Sequence, residues 1–171
     1  EAGRKHVVAR IEAVQAGHGE SPLAVHLGQA ISKGDRMDYA IQKAVELGVA
    51  AITPLYTEHG DVRLRGEREA KKLAHWQAVA ASACEQCGRA VVPAVHPPMT
   101  LHPGTRGVLE QATAPDSVAL LIGPEGGLSA KDLETALAAD FMPLSLGPRI
   151  LRTATAPVVA LSLLQYRFGD L

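Results

Sequence analysis

The chain has 171 residues, with 47% hydrophobic and 20% charged residues. That is enough for one well-cored domain with a small appendage, and it excludes a disordered tail, a fibre or two full domains. Net charge is -1 but unevenly spread: residues 1–106 carry 13 Lys/Arg against 11 Asp/Glu, and residues 107–171 carry 4 against 7. An RNA partner would therefore favour the first part. The apolar stretch Ala156 to Leu164 is nine residues long, against about 20 for a membrane span. Two cysteines, Cys84 and Cys87, make no disulfide framework and fit a reducing compartment. An opening Glu1-Ala2-Gly3-Arg4 has neither an initial Met nor a signal peptide, and is expected of a fragment of something longer.

In chain order, residues 4–15 read as a strand, followed by a turn-rich boundary at Gly17-His18-Gly19-Glu20-Ser21-Pro22. Leu23 to Ile31 reads as a second strand. Ser32-Lys33-Gly34-Asp35 reads as a capping box with Asp in place of Glu, ahead of a helix bearing Met37, Ile41 and Ala44 and stopped by Gly48. Ala50 to Leu55 is a short apolar strand. Glu67 to Cys87 is the longest helical pattern, with Leu73, Trp76, Ala80, Cys84 and Cys87 on one stripe and Gly88 after it. Arg89 to Thr105 reads mostly as loop. Val118 to Ile122 is a continuous apolar strand, Ser129 to Ala139 a helix capped by Ser129 and Asp132, Phe141 to Leu146 a further strand, and Ala154 to Tyr166 the last helix.

This alternation predicts an α/β domain with a mostly parallel sheet and helices on both faces. Ligands of such sheets lie beyond the carboxyl ends of the strands. Two similar loops stand there: Gly123-Pro124-Glu125-Gly126-Gly127-Leu128-Ser129 and Gly147-Pro148-Arg149-Ile150-Leu151-Arg152-Thr153. Both begin Gly-Pro, leave a strand and lead into a helix. Together they offer backbone groups to the edge of a flat heterocycle; tight strand-to-helix turns are the plainer reading of each alone. No phosphate-binding G-x-x-x-x-G-K-[ST], no G-x-G-x-x-G after a strand and no G-x-S-x-G elbow occurs, which argues against a P-loop enzyme, a dinucleotide dehydrogenase or an α/β-hydrolase.

Five collinear segments carry a resemblance: Ile41-Gln-Lys-Ala-Val-Glu-Leu-Gly-Val49, Ile52-Thr-Pro-Leu55, Ala83-Cys-Glu-Gln-Cys-Gly-Arg89, Gly123 to Ser129, and Leu146 to Thr153. The chain from about residue 21 onward resembles the SPOUT class of RNA methyltransferases, and more narrowly the bacterial 16S ribosomal RNA uracil-N3 methyltransferases. The resemblance implies S-adenosylmethionine as methyl donor with no metal, a homodimer, a C-terminal trefoil knot, cytoplasmic work on the small ribosomal subunit, and no membrane partner. It implies donor contacts at Leu121, Ile122, Gly123, Glu125, Gly126, Leu146, Gly147, Ile150 and Leu151. Residues 1–20 then correspond to the last strand and linker of an N-terminal barrel-like (PUA-like) RNA-binding domain, and 21–171 to the methyltransferase domain. Ribose 2′-O-methylation on the same scaffold, and a non-catalytic RNA-binding module, are the alternatives.

For transfer to a uracil nitrogen, Arg152 is the candidate for stabilising the base anion, with Arg149 or Arg89 positioning base or phosphate and Gln86 beside the RNA. A structural arginine paired with Glu125 is the plainer alternative. Two departures from the family pattern stand out: Ala154 where Glu is usual in Arg-Thr-Glu-Thr-Ala, and His59 where an Arg commonly follows Glu58. Leu109-Glu110-Gln111 also lacks the family's usual His-Pro or Pro-Arg. Cys84 and Cys87 are expected in the core. Arg63, Arg65, Arg68, Lys71 and Lys72 read as a solvated helix start, or else as an RNA-contacting patch. The last helix, apolar on nearly all sides through Val158, Val159, Leu161, Leu163, Leu164 and Tyr166, is expected to be buried all round.

Overall fold

Five strands pair through parallel ladders in the computed structural model, which describes residues 10–13, 19–101 and 117–171. In chain order the elements are β1 (Ala24–Ala30), α1 (Arg36–Glu46), β2 (Val49–Tyr56), α2 (Glu67–Cys87), β3 (Ala94–Val95), β4 (Met99–Thr100), β5 (Ser117–Ile122), α3 (Ala130–Ala138) and α4 (Thr155–Phe168). Strand order is β3-β2-β1-β5, with β4 also paired to β2. Adjacent parallel strands need crossover connections, and α1 supplies the one between β1 and β2.

Register decides the faces. Leu27 stands beside Ile52 and Leu120, and Ile52 beside Val95. All four are buried in one cluster with Ile41, Val45, Trp76, Ala80 and Leu161 from α1, α2 and α4. Trp76 is wholly buried, and its truncation to Ala would cost about 3–5 kcal/mol. The alternate positions, His26, Thr53 and His96, meet on the opposite face: His26 Nε2 lies 3.0 Å from Thr53 Oγ1, and its ring stacks on His96 at 5.3 Å. Among the described residues no helix is long and apolar enough to cross a membrane.

Several expected elements take a different form. Of the strand expected at residues 4–15 only 10–13 are described, and they carry no strand. The Ser32–Asp35 capping box does not form: Asp35 is the N-cap, in an αR backbone and without a side-chain cap bond. Gly34, at φ +61, breaks helical continuity after Ser32 and moves the start three residues on. The Arg89–Thr105 loop holds the two short strands β3 and β4. The strand expected at Phe141–Leu146 is absent. Asp140 turns left-handed at φ 59 and Phe141 N–H bonds back to Ala136 O, while Pro143 has no N–H to offer a ladder.

Burial corrects two further expectations. Cys84 is buried but Cys87 is exposed, because the last turn of α2 runs past the core. The last helix is not buried all round: Pro157, Ala160, Leu161 and Gln165 are, whereas Leu163 and Tyr166 are 53% and 77% exposed. One side of α4 packs on the core, and the other has no cover among the described residues.

Candidate active site

Both glycine loops reach one place. The first leaves the carboxyl end of β5 and turns at once, with Gly127 N–H donating to Pro124 O at 3.0 Å and Gly127 at φ +76. An added Cβ on Gly123 would sit 3.0 Å from Leu128, so the exit admits only glycine without displacing that side chain. The loop then enters α3 through a formed capping box: Ser129 Oγ accepts from Asp132 N–H at 3.0 Å, and Asp132 Oδ2 accepts from Ser129 N–H at 3.2 Å.

The second loop joins the first through a buried hydroxyl. Thr153 Oγ1 donates to Gly123 O at 3.2 Å, and Thr153 is 5% exposed. Upstream, Leu146 packs against the core while Gly147, Pro148, Arg149 and Ile150 are exposed, with Gly147 at φ +101. Among the described residues, 145–151 form no backbone hydrogen bond, so this stretch keeps its N–H and C=O groups available to a ligand edge. Such a pair of loops suits a flat heterocycle with hydrogen-bonding edges.

A third segment, the loop after β2, closes on the first. Asp132 Oδ2 also accepts from Glu58 N–H at 3.1 Å. A Cβ on Gly126 would lie 3.3 Å from His59 Cβ, so His59 stands directly against the first loop. Sequence reading found the cap at Asp132 but not its second role, because nothing local marks a carboxylate that joins residues 58 and 129. Arg36, at the start of α1, pairs with Glu125 at 2.8 Å; the pairing of Glu125 with Arg149 or Arg152 is not formed.

Of the arginines singled out, Arg149 and Arg152 lie in the second loop, exposed and, among the described residues, without a hydrogen-bond or ion-pair partner for their side chains. Arg89 does not join them. α2 carries the chain about 30 Å, from the carboxyl end of the sheet back to its amino end. There Arg89 donates to Glu20 Oε2 through Nε and Nη2, and through Nη1 to the carbonyls of Val45 and Val49. Its side chain is 6% exposed. This is a structural latch, at the end of the sheet remote from the two glycine loops. Gln86 is exposed at the same remote end. Burial pushes the Glu20 carboxyl up, but hydrogen bonds from Arg89 and from Val91 N–H outweigh it and hold the group below the usual value. Burial raises the Cys84 thiol. Among the described residues no cluster of three or more His, Cys, Asp and Glu is placed to hold a metal.

Comparison with known proteins fits this geometry. The family model for the RNA methyltransferase domain matches residues 19–106 and 100–165. Ribosomal RNA small subunit methyltransferase E of Buchnera aphidicola subsp. Schizaphis graminum (strain Sg) is 41% identical over 169 residues, 89% of this chain and 69% of its own length. The protein of that name from Buchnera aphidicola subsp. Acyrthosiphon pisum (strain APS) is 38% identical, and the match covers 88% of this chain and 66% of that protein. The chain thus spans about two thirds of these curated relatives. A Legionella pneumophila methyltransferase solved with its cofactor SAM superposes at TM-score 0.84 with 46% identity, over 90% of this chain and 70% of that one. Ribosomal RNA small subunit methyltransferase E from Neisseria gonorrhoeae, solved bound to S-adenosyl methionine, superposes at 0.79 with 41% identity, over 89% and 70%. A parallel α/β sheet, two glycine loops joined at its carboxyl edge, and a family match over most of the chain agree: the chain belongs to the RNA methyltransferase domain family.

Proposed function

We propose that this chain binds S-adenosylmethionine between its two glycine loops and transfers the methyl group to N3 of a uridine in 16S ribosomal RNA of the small subunit. The observation that carries this reading is the Thr153–Gly123 hydrogen bond, which holds two backbone-exposing loops together next to two unpaired arginines. The relatives' names and the SAM-bound neighbours support it.

The donor supplies an already activated sulfonium methyl, so the chain's task is alignment. Backbone groups of residues 145–151 and of Gly123 to Gly126 hold the donor, with Leu121, Ile122, Leu146 and Leu151 supplying apolar surface. Uracil N3 carries a proton and becomes a nucleophile only as that proton leaves. Arg152 stabilises the charge that builds on the flanking carbonyl oxygens, and Arg149 orients base or phosphate.

The working form in this reading is a cytoplasmic homodimer, each chain of which carries its own C-terminal trefoil knot. Support for the second copy comes from Met142, Leu144, Ile150, Leu163 and Tyr166, which are 53–103% exposed around the second loop and α4. Residues 1–20 belong to a preceding RNA-binding domain. Calorimetric titration with S-adenosylmethionine and its demethylated product tests the donor site. Nucleoside analysis of treated small subunits tests the position: 3-methyluridine supports the reading, and a ribose methyl or unmodified RNA overturns it.

A further inference from the structure

A cleft of about 670 Å³ opens beside the donor loop, between the end of β2, the segment after it, β4 and the first turns of α3. It shares a wall with the loop: Glu58 is bonded to Asp132, Asp132 to Ser129, and His59 lies against Gly126. Its size suits a nucleotide-sized ligand.

Its lining is rich in donors that the protein itself does not use. Arg65 and Lys131 are exposed, and neither side chain has a hydrogen bond or ion pair among the described residues. Nearby cations do: Lys33 pairs with Asp61, Lys71 with Glu67, and Lys72 with Asp38. The hydroxyls of Thr100 and Thr135 are equally unengaged. Arg63 is a fixed positive wall, its guanidinium donating to Thr57 O at 2.7 Å and lying over the Tyr56 ring. Lys131 breaks a local rule, since it sits in the first turn of α3, where the helix dipole disfavours a cation. An anion bound there removes that conflict, and breaches of local preference of this kind mark functional positions.

The cleft also holds two carboxylates. Asp132 is buried and its Oδ2 is saturated by two N–H groups. Glu58 is exposed with a free carboxylate. Unpaired cations with one free acceptor match a nucleotide, which presents a phosphate and a hydroxyl, better than a bare anion.

We infer that this cleft is a subsite for a single-stranded RNA nucleotide flanking the target, its phosphate held by Arg65 and Lys131 and its ribose 2′-hydroxyl donated to Glu58. This rests on the methyltransferase reading for the meaning of "target", but its test stands apart from it.

The test is fluorescence anisotropy of a labelled oligouridine against this chain over a range of NaCl concentrations, with S-adenosylmethionine calorimetry in parallel. The Arg65→Glu/Lys131→Glu variant is expected to bind RNA at least about tenfold more weakly, with the slope of log affinity on log salt reduced by about 0.7 for the one phosphate no longer neutralised. Donor affinity should stay at the wild-type value and the melting temperature should not fall, since both side chains are exposed and a carboxylate in the first turn of α3 suits the helix dipole. The milder Arg65→Ala/Lys131→Ala variant guards against a folding failure. Glu58→Ala should narrow the preference for oligouridine over oligodeoxyuridine. An unchanged salt slope with donor binding intact overturns the subsite and leaves the methyltransferase reading standing. A reduced slope in a chain that binds no donor supports the subsite and removes that reading.

Discussion

Thr153 Oγ1 donates to the carbonyl of Gly123 at 3.2 Å, across 30 residues of sequence, and is the direct tie between the two loops. Thr153 is buried, so removing the hydroxyl leaves a carbonyl without its partner. A hydrogen bond of this kind contributes about 0.5–1.5 kcal/mol. Thr153→Val keeps shape and volume and should weaken S-adenosylmethionine binding about 3- to 10-fold by calorimetry. An unchanged affinity would mean the loops hold together without this bond.

Arg152 is exposed and its side chain has no partner among the described residues. Arg152→Ala should lower kcat for RNA methylation by about 100-fold or more, the usual effect of losing a donor aimed at developing charge. Donor affinity should remain within about twofold of wild type. Wild-type turnover would end the assignment.

Gln165 anchors α4 through its side chain. It accepts from Ser21 Oγ at 2.7 Å, donates to Leu47 O at 2.9 Å, and is 1% exposed. Gln165→Ala loses both bonds and leaves a void, and should cost about 2–4 kcal/mol in urea unfolding. Gly48→Ala should be comparably harmful, since its Cβ would sit 2.7 Å from Gln165 Nε2 at a backbone φ of +75. A chain whose urea midpoint is unmoved by either change would show that α4 is held elsewhere.

The Glu20–Arg89 latch sets a pH dependence. The Glu20 carboxyl is held below its ordinary value of 4.5 in the folded chain. A depressed folded pKa gives stability that is fully present above the unfolded value and is lost as pH falls through the folded one. Glu20→Gln should therefore destabilise by about 1 kcal/mol at pH 7. The gap to wild type should stay constant down to about pH 5 and close below 4.5. A gap that widens on acidification would contradict the latch.

Ala154 is the N-cap of α4 and offers no side-chain cap bond. Ala154→Glu places a negative charge at the positive end of the helix dipole, worth about 0.3–1 kcal/mol. The melting temperature should rise by about 1–4 °C. A fall would show that the space around residue 154 excludes the longer side chain.

The sequence by itself determined the elements whose signals are local. Stripe spacing and Gly88 delimit α2, the hydrophobic run delimits β5, and Ser129 with Asp132 caps α3, because periodicity, turn chemistry and capping act within a few residues. It also pointed to both glycine loops. Tertiary structure alone decided how these parts meet. Pro143 and the left-handed turn at Asp140 leave residues 141–146 without a ladder, although their composition reads as strand. Arg89 ends at the far edge of the sheet from Arg152, because α2 reverses the chain's direction. Leu163 and Tyr166 remain exposed because one side of α4 meets no other element among the described residues. The ties from Thr153 to Gly123, Asp132 to Glu58 and Gln165 to Leu47 join residues far apart in sequence. A hydrogen bond needs its partner within about 3 Å, and only the folded chain decides which distant groups come that close.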